Sequence, residues 1–154
     1  MKNILVAVDE TKGSLPVIDT MISLFPCVKP ETVILLHVQK MEGHSLMDDM
    51  LLSESEVETL KESLKDTEYQ EALDSKALKV VDYFKARLEE AGITGIKPVV
   101  REGHPAEEIL RTAKEEEVNM IMVGTRGRRL HNLLMGSVSR EVANNAEVPV
   151  LVAR

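Results

Sequence analysis

Five segments of the chain are apolar over nearly consecutive positions instead of alternate ones. They are Asn3-Ile4-Leu5-Val6-Ala7-Val8, Thr32-Val33-Ile34-Leu35-Leu36-His37-Val38, Ile96-Lys97-Pro98-Val99-Val100, Met120-Ile121-Met122-Val123 and Pro149-Val150-Leu151-Val152-Ala153. A strand with one solvated face alternates with period two. Runs without that alternation, rich in Val and Ile, predict strands covered on both faces, as in a parallel sheet.

Between these runs the apolar period changes to that of a helix. Ser14 to Phe25 carries Leu15, Ile18, Met21, Ile22 and Phe25 at helical spacing, with Pro16 in the first turn, where its missing N–H costs nothing. The segment from about Thr67 to Ala91 puts Ala77, Val80, Val81, Phe84 and Leu88 on one face and stops at Gly92. Pro105 to Glu117 opens with Pro105, Glu107 and Glu108 at the positive end of its dipole and buries Ile109, Leu110 and Ala113. Ser137 to Ala146 turns Val138, Val142 and Ala146 inward. Strands alternating with helices predict right-handed crossovers and an open α/β sheet with helices on both faces.

The stretch from Gln39 to Ser63 breaks the pattern. Met41, Met47, Met50, Leu51 and Leu52 lie there among acids and serines without a clean period. Two readings stand: a mobile loop, or a helix over Glu54 to Lys65 that extends the following helix backward. The methionines suit core filling better than a soft lid or partner surface.

Length and composition then narrow the class. A chain of 154 residues fits one domain, taken as 1–154, and buries roughly 68–70% of its unfolded surface without needing disulfides or a metal. Cys27 is the only cysteine, which excludes an intramolecular disulfide and fits a reducing compartment with Cys27 as a small core residue. The apolar run Ile4 to Val8 is too short for a signal-peptide core or a membrane span, so the expected location is the cytoplasm. A net charge of −7 disfavours nucleic acid and anionic membranes as partners. Two Phe, two Tyr and no Trp disfavour platforms for stacking single-stranded bases as well.

In an open α/β sheet, ligands bind beyond the carboxyl ends of the strands, where the strand order reverses. The residues at those ends are Asp9, Val38-Gln39, Gly103-His104-Pro105 and Gly124-Thr125-Arg126-Gly127. Gly124 and Gly127 would let backbone amides approach a ligand, and Gly136-Ser137 opens a helix whose free N–H groups attract an anion, with the Ser137 and Ser139 hydroxyls as further donors. Two halves of a phosphate cradle is one reading; a tight turn followed by an ordinary helix cap is the other, and spacing alone does not decide between them. Arg126, Arg128 and Arg129 are either phosphate donors or solvated loop charges, the second being the simpler. His37, His44, His104 and His131 show no metal-ligand spacing. His37 reads as a strand residue and His104 as one that precedes or caps a helix, while Asp48 and Asp49 read as solvated and no Ser-His-Asp arrangement stands out.

The segments "NILVAVDET", "GHPAEEILRTAKEEEVNMIMVGTRG" and "GSVSREVANNAEVPVLVAR" together resemble the universal stress protein family over essentially the whole chain. The resemblance implies a Rossmann-like, five-stranded parallel sheet of the adenine nucleotide alpha hydrolase type, with strand order 3-2-1-4-5, which dimerises through its last strand. It implies ATP, or ADP or AMP, as ligand, with Mg²⁺ held through the nucleotide phosphates and not by the protein directly. Carried over by position, Ala7 and Val8 would line the adenine pocket, with Asp9 at the ribose and adenine end and the Val38 backbone against the adenine. Gly124 and Gly127, with Val123 beside them, would lie along the ribose and phosphates, and Gly136, Ser137, Val138 and Ser139 would meet phosphate oxygens. The apolar last strand, with no charge between Val148 and Ala153, suits edge pairing.

The chain departs from the family pattern twice. The segment Arg128 to Met135, between Gly127 and Gly136, is one residue shorter than the motif, and Asn119 stands where relatives usually carry Asp. The shorter loop bears on nucleotide binding; Asn119, at the start of its strand, bears on structure alone. The function expected is a regulatory dimer that binds ATP in a stress response and acts on a further protein partner, with hydrolysis slow at most. The alternative is a dimeric interaction protein of the same fold that binds no nucleotide.

Overall fold

The computed structural model describes residues 2–40, 68–125 and 135–154. Along the chain they form β1 (Asn3–Val8), α1 (Ser14–Val28), β2 (Thr32–Gln39), α2 (Glu68–Glu90), β3 (Ile96–Glu102), α3 (Pro105–Glu115), β4 (Met120–Gly124), α4 (Ser137–Asn145) and β5 (Val150–Ala153). The five strands pair in parallel in the order β3-β2-β1-β4-β5, as the resemblance implies.

The unbroken apolar runs are divided between two cores by the pleat. Ile4, Val6 and Val8 of β1, with Val33 and Leu35 of β2, pack against Val17, Ile18 and Met21 of α1 and Val81, Phe84 and Leu88 of α2. Leu5, Ile34 and Leu36 point the other way, against Ala106, Ile109 and Ala113 of α3 and Val142 of α4. No position on β1 from Ile4 to Val6 reaches water, which is why the sequence shows no alternation there. The edges differ. β3 carries Pro98, tolerated because an edge strand needs no second row of N–H donors, and pairs Lys97 with Glu116 and Arg101 with Glu115. β5 carries only half-buried Val150, Leu151 and Val152.

Helix ends depart slightly from expectation. α1 continues through Pro26 to Val28 instead of stopping at Phe25, because a proline in the last turn forfeits a single bond. It ends at Lys29, in the left-handed region at φ 40°, whose N–H donates to the Phe25 carbonyl at 2.9 Å. Cys27 is exposed, not a core residue: the inward stripe Ser14, Val17, Ile18, Met21 passes through Phe25 and Val28, and residue 27 falls off it. α2 closes as expected at Gly92, with φ +80°.

Two polar residues tie the sheet together. Asn119 Oδ1 accepts from the N–H groups of Lys2 and Asn3 at 2.7 and 3.1 Å, fixing the start of β1 beside β4, the structural role expected of it. The buried ring of His37 donates from Nδ1 to the Val8 carbonyl at 2.9 Å, joining β2 to the last residue of β1. The helical extension or loop beyond Lys40, His44, Arg126, Gly127, Arg128, Arg129 and His131 lie outside the described residues. Among the described residues no helix is long and apolar enough to cross a membrane.

Candidate functional site at the strand ends

The strand order reverses between β1 and β4. The helix after β1 packs on one face and the helix after β4 on the other, the arrangement that leaves a crevice at the carboxyl edge of an open sheet. Val8 is paired with His37, and Val6 with Met122. Continuing those registers sets Asp9 level with Val38 and with Thr125. Ala7, Val38 and Val138 are half-buried against the α3/α4 core, on one side of this edge. Val8 and Val123 are buried and offer the edge their backbone alone.

Asp9 organises the turn that follows β1. Its Oδ1 accepts from the Thr11 N–H at 2.9 Å, the Thr11 hydroxyl at 2.6 Å and the Ser14 hydroxyl at 2.8 Å, while the Ser14 oxygen accepts the Asp9 N–H at 2.7 Å. A carboxylate can take such a set because it is an acceptor only. Its second oxygen, Oδ2, accepts nothing from the described residues, so one oxygen of Asp9 is committed to the turn and the other is left unengaged.

The glycines stand where one backbone meets another. A Cβ on Gly124 would lie 2.5 Å from the Gly13 carbonyl oxygen, so this glycine lets β4 end against the start of α1. A Cβ on Gly136 would lie 2.7 Å from the Thr125 oxygen, and the Gly136 N–H donates to that same oxygen at 2.7 Å. Both glycines are required by backbone approaching backbone. The Gly136 bond has a further consequence: the two ends of the 126–134 connection are joined directly, and the Thr125 N–H is anchored in turn on the Ala153 carbonyl at 3.0 Å. Thr125 and Gly136, on either side of that connection, are therefore in direct contact.

α4 begins at this junction. Gly136 precedes it in an extended conformation, φ −60° and ψ 160°, and the first bond of the helix runs from the Arg140 N–H to the Gly136 carbonyl at 3.0 Å. The amides of Ser137, Val138 and Ser139 come before that bond and have no intrahelical acceptor. The Ser137 hydroxyl is exposed, whereas Ser139 is buried and its hydroxyl donates to the Gly136 carbonyl at 3.0 Å. Ser139 thus holds the helix start with its side chain and has only its amide to offer outward. An anion at this end would meet three convergent N–H groups, the Ser137 hydroxyl and the positive end of the helix dipole.

A cavity of about 340 Å³ opens on the other side of Asp9, between the turn and α2. Leu15, Val80, Tyr83 and Phe84 give it apolar walls, and Lys76 at its rim reaches Glu10 at 4.0 Å. It adjoins the strand-end crevice without being its floor, because Ala7, Val38 and Val138 lie on the opposite face of the sheet. Sequence reasoning assigned no site residue to α2. The signal was Lys76, Lys79, Val80 and Tyr83 at helical spacing beside the core stripe, which a solvated helix face would also produce. Arg87, one turn beyond Tyr83, clasps α2 to α1: its guanidinium is pushed above its ordinary value by a hydrogen bond to Tyr83 and then by Asp19, 2.8 Å away.

The model of the universal stress protein family matches residues 1–154. Universal stress protein MJ0577 of Methanocaldococcus jannaschii is 31% identical over 140 residues, covering 86% of this chain and 83% of that protein. Universal stress protein YxiE of Bacillus subtilis is 30% identical over 154 residues, covering 97% of each chain. The solved structure of MJ0577 superposes with a TM-score of 0.76 at 29% identity, covering 99% of this chain and 94% of that one. A universal stress protein family member from Arabidopsis thaliana, solved with AMP bound, shares the fold with a TM-score of 0.67 at 18% identity, covering 99% and 91%. With the 3-2-1-4-5 parallel sheet and the match over its whole length, this chain belongs to the universal stress protein family.

Proposed function

We propose that the protein is an adenine-nucleotide-binding regulatory module of a stress response, holding ATP, ADP or AMP across the carboxyl ends of β1 and β4. The phosphates lie at the start of α4, on the amides of Ser137, Val138 and Ser139 and the Ser137 hydroxyl. Asp9 meets the ribose through its free oxygen, and the adenine lies against Ala7, Val8 and the Val38 backbone. Val123, Gly124, Gly127 and Gly136 complete the backbone around it, and Mg²⁺ arrives with the phosphates, without a protein ligand of its own. The observation that carries this reading is the 2.7 Å bond from the Gly136 N–H to the Thr125 carbonyl, which brings a free helix start beside the end of β4 despite the shortened connection. The AMP-bound family member supports the ligand class. Titration of the protein with Mg-ATP in a calorimeter tests it: one site per chain is expected, and the absence of heat together with the absence of nucleotide in the purified protein overturns it.

The module acts as a single-domain cytoplasmic homodimer, with β5 pairing against its copy and leaving another surface for a protein partner. The half-buried Val150, Leu151 and Val152 on an uncharged edge support this arrangement. Sedimentation at twice the 17.2 kDa chain mass is expected, and a monomer at micromolar concentration contradicts it.

A further inference from the structure

His104, Glu107 and Glu141 converge from two helices, with one ligand atom of each lying within 4.8 Å of the other two. His104 is the residue before α3 and Glu107 is its third residue; Glu141 projects from α4, one turn after Ser137. Residues at the first two positions commonly cap a helix, the acid reaching back and the first residue reaching forward. His104 makes no such side-chain bond here. Among the described residues none of the three side chains has a hydrogen-bond or ion-pair partner, although their neighbours do: Glu108 and Glu115 face Arg111, Arg101 holds Glu115, and Lys97 holds Glu116. Among the described residues, then, two carboxylates stand beside an imidazole with no cation paired to them, in a chain whose net charge is −7.

We propose that this trio binds a divalent transition-metal cation of the zinc class, as a three-ligand site open to water at its remaining position. The imidazole selects the class: Mg²⁺ and Ca²⁺ take oxygen donors, whereas nitrogen beside carboxylate oxygen suits Zn²⁺ and Co²⁺. Bonds of about 2.0–2.1 Å in a tetrahedral site put donor atoms roughly 3.3 Å apart. The donor atoms now lie within 4.8 Å of one another, and the exposed His104 and Glu107 have room to turn towards the half-buried Glu141. The bound ion would pin the start of α3 to α4 one turn from the candidate phosphate amides. His104 and Glu107 do not read as a metal site in the sequence, because the third ligand, Glu141, comes from a helix that only the fold brings alongside.

The test uses the full chain without nucleotide and Co²⁺ alone as probe. Visible d–d absorption saturating at one equivalent is expected, weakened about tenfold or more in His104→Ala and in Glu141→Gln and unchanged in Cys27→Ser. Zn²⁺ should raise the melting temperature of the wild type but not that of His104→Ala, whose metal-free melting matches the wild type. Undiminished Co²⁺ binding in His104→Ala overturns the proposal, as does loss of binding in Cys27→Ser or the absence of any saturable spectrum in the wild type.

Discussion

Gly136 offers a test in which the sign of the effect is decisive. Its φ of −60° and ψ of 160° are open to any residue, so the backbone conformation does not demand glycine. Were the surroundings open, Gly136→Ala would stabilise the protein by about 0.4–1 kcal/mol, because alanine lowers the entropy of the unfolded chain. The structure reverses this. The added Cβ would meet the Thr125 oxygen at 2.7 Å, and that oxygen belongs to backbone already held by the bond from the Thr125 N–H to Ala153. Relief requires opening the Gly136 to Thr125 hydrogen bond. Leaving a partly enclosed carbonyl without its partner costs about 1–3 kcal/mol. Taken at the middle of each range, a cost of about 2 kcal/mol less a gain of about 0.7 leaves a net loss of about 1.3 kcal/mol, or a melting temperature lower by about 3–5 °C for a chain of this size. Thermal unfolding followed by circular dichroism in the absence of ligand measures it. A melting temperature equal to or above that of the wild type would refute the account of this junction. The same contact makes Gly136 a poor position for probing a ligand, since any side chain there disturbs the fold first.

Other outcomes follow from the same contacts. Gly124→Ala should cost more than Gly136→Ala, because its Cβ would lie 2.5 Å from the Gly13 oxygen and 3.2 Å from the Gly13 carbonyl carbon; denaturant midpoints of the two variants compare them directly. Asn119→Ala removes the acceptor for the Lys2 and Asn3 amides, which lie at an exposed end of the sheet, and should cost about 1 kcal/mol by urea unfolding without altering ligand binding.

Much of the fold is legible in the sequence because both faces of the sheet are covered. Continuous runs such as Ile4 to Val8 and Val33 to Leu36 suit strands covered on both faces in an α/β chain, and the 2.0-residue pleat sorts them into two cores once helices flank them. Cys27 departs from the core expected of its residue type because helical phase, not residue type, sets its exposure. The end of α1 was misjudged because Pro26 breaks a helix interior but not a last turn. At the site, Asp9 and the helix start at Ser137 are visible as chemistry at strand ends. The reason for the glycines is not: their partners are Gly13 and Thr125, and contacts between distant backbones leave no mark in local spacing. The cavity wall from α2 and the Glu141 ligand escaped for the same reason.

In the proposed complex an adenine nucleotide places its phosphates on the free amides of α4. Ser137→Pro tests it most directly. Proline suits the first position of a helix, and the extended Gly136 before it is compatible with a following proline, so the fold is retained while one amide and one hydroxyl donor are removed. Each hydrogen bond to a charged group is worth about 1.5–3 kcal/mol, so calorimetric titration with Mg-ATP should show binding weakened by at least about tenfold relative to the wild type. Equal affinity in the two proteins would contradict the account.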